Sequence, residues 1–133
     1  MSIRAIPISE SLKSPNPLSA AVWAGDLLFL SGRTGTTSAA GDPLLDIAPQ
    51  TRRCFEQIKA VLEAAGASLT DVVKVNVFLV NYDDFPAMNK VYASYWSGEP
   101  PARTTAITGL ARSGALIEVE CVAYCPERAQ KDQ

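Results

Sequence analysis

Histidine is absent from all 133 residues. Without imidazole there is no Ser-His-Asp or Cys-His dyad, no zincin motif and no histidine general base. Cysteine is scarce too: Cys54, Cys121 and Cys125 are an odd number, and none falls in a C-x-x-C pair. A four-ligand zinc site would have to borrow carboxylates, so no metal is expected. The thiols read as free in a reducing compartment, with Cys54 and Cys121 packed as small hydrophobes. No apolar run approaches the roughly 20 residues of a membrane span. The opening Met1-Ser2-Ile3-Arg4 carries no apolar leader, so a cytoplasmic location is expected. Charge of one sign is also lacking: the formal net charge is −2 and the pI is about 5.1. A nucleic-acid partner would call for a basic stripe, and none is expected.

What is present is the composition of a globular protein, 47 % hydrophobic and 20 % charged. The length suits one domain over residues 1–133, with a core of about 17–124 and a polar, frayed tail at 125–133. Ser14 to Ser19 form a stiff loop around Pro15 and Pro17. Two apolar runs flank Gly25-Asp26, a turn dipeptide, which predicts a hairpin whose second strand ends at Ser31-Gly32. Residues 34–45 read as a loop. After Asp46, a candidate N-cap, apolar or small residues recur at Thr51, Cys54, Phe55, Ile58, Val61, Leu62 and Ala65, one face of a helix closed by Gly66.

Ser68 to Asp71 resemble a short capped turn, and the β-branched run Val72 to Val80 predicts a strand with Val73, Val75, Val77 and Leu79 on one side. Asp83-Asp84-Phe85-Pro86 opens a second helix with Phe85, Met88, Tyr92, Tyr95 and Trp96 as its stripe. Two last strands, near Arg103 to Thr108 and Ala115 to Tyr124, are joined by a turn. The order β-β-α-β-α-β-β is that of an α+β domain with two helices on one face of a sheet.

The other sheet face should then be wetted or covered by another molecule. In the last strand Ile117, Val119, Cys121 and Ala123 point one way, and Leu116, Glu118, Glu120, Val122 and Tyr124 the other. Arg103, Thr105 and Ile107 share one side of the strand before it. A face mixing apolar residues with a few charges suits a subunit interface, so a homo-oligomer is expected.

Six segments carry a resemblance. They are Leu30-Ser31-Gly32, Val61 to Gly66, Asp71 to Phe78, Asp84-Phe85 with Met88-Asn89 and Tyr92, Pro101-Ala102-Arg103-Thr104, and Ile117-Glu118-Val119-Glu120. In that order and spacing, from about Pro17 to Tyr124, the chain resembles the RidA/YjgF family of enamine/imine deaminases. The resemblance implies a chorismate-mutase-like fold on a mixed sheet, a homotrimer, and clefts between adjacent subunits. It also implies hydrolysis of small 2-imino acids to 2-oxo acids and ammonia, as a hydrolase acting on C=N bonds without a cofactor.

Arg103, at the position of the family's Pro-Ala-Arg motif, would clamp the substrate carboxylate, a task suited to a bidentate guanidinium. Glu118 matches the family's site glutamate and would hydrogen-bond the attacking water, although Glu120 on the same face could exchange roles with it. The backbone of Gly32 and Thr105 would hold the imine nitrogen and orient the carboxylate, with Ser31 and Asn89 lining the cleft. Trp23, Tyr92 and Trp96 read as core. Arg33 and Arg112 read as surface charges, though Arg33, just after Gly32, could meet a second acidic group on a substrate.

Two positions depart from the family pattern. Asn16-Pro17-Leu18-Ser19 stands where archetypal members have Gly-Pro-Tyr-Ser, so apolar Leu18 replaces a tyrosine. Thr105 replaces a common cysteine. Both alter the pocket edge and leave the substrate's identity open. A non-catalytic carboxylate-binding or interaction module on the same scaffold remains an alternative, because fold does not dictate function. A chorismate-mutase-like isomerase would need more cationic groups, and nuclease activity suits an acidic, histidine-free chain poorly.

Overall fold

The computed structural model describes residues 3–126. Its strands are β1 (Ile3–Ala5), β2 (Ala21–Ala24), β3 (Leu27–Thr34), β4 (Val72–Leu79), β5 (Ala102–Ile107) and β6 (Ile117–Tyr124). Its helices are α1 (Ile47–Ala64) and α2 (Phe85–Ala93). The strands form one sheet in the order β1-β2-β3-β6-β4-β5, antiparallel throughout except for the parallel β4–β5 pair. This is an α+β fold with two helices on a mixed sheet.

Gly25 has φ 60° and joins β2 to β3 in a two-residue turn, with Ala24 opposite Leu27. A positive φ at the first central position matches the right-handed twist of the flanking strands. On α1 the helical stripe is buried as its spacing requires, from Thr51 through Leu62. Gly66, at φ 79°, breaks the helix just beyond its last turn. The crossover through α2 returns the chain parallel to β4 as edge strand β5.

Several expectations need correction. The additional strand β1 pairs with β2, Arg4 opposite Trp23; three residues are too few to display a period. Strand β3 runs past Gly32 to Thr34 through an irregularity between Leu30 and Arg33. Val73 is 45 % exposed and does not join Val75 and Val77, because the β4–β6 register shifts between Val72 and Lys74. Helix α2 ends at Ala93, where the Ser94 hydroxyl donates to the Val91 carbonyl at 2.6 Å. Tyr95 therefore lies beyond the helix and stacks on Phe55 with ring centroids 4.6 Å apart. Cys125 is buried and its backbone N–H donates to the Asp26 carbonyl at 2.9 Å, so the packed chain reaches past Tyr124. The expected fraying at 127–133 lies outside the described residues.

The core fills the space between helices and sheet: Phe55, Ile58 and Leu62 of α1 meet Leu28, Val75, Val77, Val119 and Cys121. A buried amide pins the helix start. Gln50, fully buried, donates to the carbonyls of Leu44 at 2.8 Å and Gly114 at 3.0 Å, and accepts from the Leu116 N–H at 2.8 Å. One side chain thereby fixes two loops that approach the end of β6. On the sheet face away from the helices, Leu27, Phe29 and Tyr124 are exposed. They share that face with Glu118 and Glu120.

Candidate active site

The proposed site residues fall into two groups on opposite sides of the sheet. Arg103 pairs with Val75 and Thr105 with Val77, both fully buried under the helices. Arg103 and Thr105 therefore project toward α2. Glu118 pairs with Phe78 and Thr34 and alternates with buried Ile117 and Val119, so it projects from the uncovered face. Along β6, Cys121 is the residue opposite Val75. Two strand spacings and three residues thus separate the Cα atoms of Arg103 and Glu118 by about 14 Å, with side chains diverging. One copy cannot bring the two to a common substrate.

Around Arg103, side chains from α2 and the segment after it enclose a hollow of about 360 Å³ lined by Asn89, Tyr92, Ala93, Trp96, Pro100 and Arg103. The guanidinium carbon lies 4.7 Å from the Tyr92 ring centroid and 5.7 Å from that of Phe85. Aromatic faces attract the cation and hold its plane. Among the described residues no carboxylate lies within 4.0 Å of it.

Among the described residues six buried polar side-chain atoms lack a hydrogen-bond partner, and four of them belong to this neighbourhood: Asn89 Oδ1, Tyr92 OH, Trp96 Nε1 and Thr105 Oγ1. The others are Trp23 Nε1 and Asp84 Oδ2. Each such atom costs about 1–3 kcal/mol while unpaired, so a polar partner placed beside this carboxylate-free arginine would be stabilising. Burial raises the Tyr92 pKa, partly offset by the Arg103 charge, which keeps the phenol neutral and able to donate. Tyr92, read as core from its helical stripe, is buried in the core and also borders Arg103, a second contact that reading did not include. Its signal is the i, i+3 spacing from Asn89 on the helix that covers Arg103.

The second group surrounds a larger hollow, about 390 Å³, whose walls include Leu18, Ser31, Gly32, Arg33, Arg112 and Glu118. Strand β3 bulges here: Ser31 and Gly32 together stand against the single residue Glu120. The bulge opens room that Glu118 uses. A methyl group at Gly32 would overlap its carboxylate, whose Cδ lies 3.0 Å from that position. The Ser31 hydroxyl is committed to the Ser19 carbonyl at 2.6 Å, which fastens the Leu18 loop to β3. Leu18 itself is half exposed on the rim.

Burial, and then the neighbouring Glu120 charge, raise the Glu118 pKa. Glu120 is held by Asn76 Nδ2 at 3.4 Å and lies outside this hollow. Of the two interchangeable glutamates, only Glu118 faces the cavity. The buried thiols of Cys54 and Cys121 are pushed up to about 12 by desolvation, far from nucleophilic thiolates.

Comparison with known proteins agrees with this fold. Residues 8–125 match the family described as Endoribonuclease L-PSP. A RutC family protein of Pyrococcus horikoshii is 40 % identical over 124 residues, 92 % of this chain and 98 % of that protein. A protein of Dermatophagoides farinae named 2-iminobutanoate/2-iminopropanoate deaminase is 39 % identical over 110 residues, 80 % of this chain and 84 % of that one. Among solved structures, RidA from the Antarctic bacterium Psychrobacter sp. PAMC 21119 superposes with a TM-score of 0.82 at 32 % identity, covering 91 % of this chain and 98 % of that one. The chain belongs to the Endoribonuclease L-PSP family, the RidA/YjgF proteins. No helix among the described residues is long and apolar enough to cross a membrane.

Proposed function

We propose that this protein hydrolyses 2-imino acids, or their enamine tautomers, to 2-oxo acids and ammonia, in clefts between the copies of a homotrimer. The observation that carries this reading is the Arg103 hollow. There a guanidinium free of carboxylate partners, braced by Tyr92, sits beside polar atoms of Asn89 and Thr105 that lack partners. A small carboxylate supplies an acceptor for the guanidinium and for the Thr105 hydroxyl, while Asn89 Oδ1, itself an acceptor, calls for a donor. The name of the Dermatophagoides farinae relative and the family membership support the same substrate class. Trimer assembly would bring Arg103 of one copy against Glu118 of the next. The exposed apolar side chains Leu27, Phe29 and Tyr124 on the uncovered face support that burial.

In this arrangement Arg103 holds the substrate carboxylate and the main chain at the Gly32 bulge orients the imine nitrogen. Glu118 accepts a hydrogen bond from a water and draws off its proton as the oxygen attacks the imine carbon. The carbinolamine formed from the protonated imine takes up that proton on its nitrogen and expels ammonia, while its hydroxyl gives a proton back to Glu118 as the carbonyl forms. A carboxylate with a raised pKa is a stronger base than an ordinary glutamate. The reaction needs no cofactor because imines already hydrolyse in water; the protein supplies position and proton transfer.

Cysteines that form no disulfide among the described residues support a reducing, cytoplasmic setting, although two similar proteins of Schizosaccharomyces pombe are named mitochondrial. The ribonuclease in the family description finds less support in a chain of net charge −2 without imidazole. The test is to generate 2-iminobutanoate in situ with an amino-acid oxidase and trap the remainder with semicarbazide. Wild type should deplete the trapped adduct well beyond the spontaneous rate, and Arg103→Ala should not. Equal depletion by both removes Arg103 from the clamp. No acceleration, together with an Arg103-dependent thermal shift by 2-oxo acids, would establish a binding module instead.

A further inference from the structure

The Glu118 hollow carries more positive charge than a simple imino acid requires. Arg33 follows Gly32 directly and lines that hollow with Arg112. Its guanidinium donates to the Leu12 carbonyl at 2.8 Å and to Gln57 Oε1 at 3.4 Å, both neutral acceptors. Burial and the nearby Arg53 charge each act against the Arg33 cation. Among the described residues neither Arg33 nor Arg112 has a carboxylate within 4.0 Å, and Arg53 reaches only Glu56, at 3.7 Å. Arg112 and Arg53 also share a small adjoining hollow of about 110 Å³ with Thr34, Thr36 and Thr37, whose hydroxyls can donate. Arg33 and Arg112 outnumber Glu118 on the wall of this hollow, and with neither paired to a carboxylate they form a receptor for an anion.

We infer that Arg33 and Arg112 receive a second carboxylate, so that the preferred substrates are 2-imino acids whose side chain itself ends in a carboxylate. This inference rests on the deaminase reading. The substrate's own carboxylate engages Arg103 of the neighbouring copy, the imine carbon lies by Glu118 and Gly32, and the side-chain carboxylate extends to the arginines. The class comprises four- and five-carbon dicarboxylic imines, the two-electron oxidation products of acidic amino acids. The reaction that supplies them is thus the removal of hydride from an amino dicarboxylic acid.

The experiment compares semicarbazide-competed hydrolysis of 2-iminoglutarate and 2-iminobutanoate, each generated in situ, for wild type, Arg33→Gln, Arg112→Gln and Arg103→Ala. Thermal unfolding with 2-oxoglutarate or 2-oxobutanoate runs alongside, with native mass measured for each variant. Wild type should favour the dicarboxylic imine in kcat/KM by about tenfold or more, the worth of one charge-assisted hydrogen bond. Each Arg→Gln change should bring that ratio toward unity, while Arg103→Ala lowers both rates. An undiminished ratio in Arg33→Gln, or a wild-type preference for 2-iminobutanoate, overturns the inference and leaves the deaminase reading intact. A changed native mass with an unchanged ratio also overturns it, assigning the arginines to contacts between copies. If no imine is accelerated but 2-oxoglutarate stabilises the protein through Arg33, the dianion site stands and the deaminase reading falls.

Discussion

Replacing Gly32 by alanine separates the chemistry of the site from its fold. Gly32 is not among the glycines with positive φ, so its backbone conformation is open to any residue. The new methyl would instead meet Glu118: it overlaps the carboxylate, with Cδ at 3.0 Å and Cγ at 3.1 Å. Those atoms belong to the mobile end of a side chain that is partly exposed, so the clash is relieved by swinging the carboxylate aside. Alanine also stabilises by about 0.4–1 kcal/mol through the unfolded chain, which offsets much of the residual crowding. Net stability should therefore change by less than about 1 kcal/mol.

The reaction responds differently. Moving the group that holds the water by about 1 Å costs on the order of 100-fold in rate. Gly32→Ala should keep the wild-type melting temperature and native mass and lose about 100-fold in kcat for imine hydrolysis. Combined with Glu118→Gln, it should add little further loss, because both changes disable one interaction. A Gly32→Ala protein that hydrolyses imines at the wild-type rate would refute the placement of Glu118 at the reacting water. A loss that multiplies fully in the double variant would do the same.

Stability predictions follow from groups outside the chemistry. Gln50→Leu leaves two carbonyls and the Leu116 N–H without their buried partner; it should destabilise by roughly 2–4 kcal/mol in urea unfolding, and a loss below 0.5 kcal/mol would contradict the bridge. Glu118 has a folded pKa above its unfolded value, so the native state retains a proton that the unfolded chain releases. Its contribution to stability therefore declines as pH rises from about 4.3 through the folded value, and Glu118→Gln should flatten that part of the pH–stability curve. A steeper curve in the variant would reverse the assignment. In activity, the same group gives an acid limb displaced above the ordinary glutamate range, since only the carboxylate draws the proton from water; a limb at the ordinary value would contradict it.

Much of the fold was legible because its signals are periodic. The α1 stripe from Thr51 to Leu62 and the alternation of Ile117, Val119, Cys121 and Ala123 emerge as the buried faces. Bulges were not legible: a register shift leaves Val73 exposed with no mark in composition, and another opens the Gly32 cradle. Nor was the division of the site. Motif order can point to both Arg103 and Glu118, yet the faces they occupy depend on strand register, here Val75 with Arg103 and Phe78 with Glu118. Tyr92 is core, as its helical stripe reads, and only its contact with Arg103 was hidden, because that depends on the strand beneath it carrying an arginine.

That division yields the most direct test. Arg103→Ala and Glu118→Gln proteins, each inactive alone, are dissociated, mixed in equal amounts and reassembled. If each cleft takes Arg103 from one copy and Glu118 from another, about a quarter of the clefts in a random mixture regain both groups, and imine hydrolysis returns to about that fraction of wild type. A reassembled mixture, verified by mass to contain both variants, that remains as inactive as its parents would contradict the shared cleft.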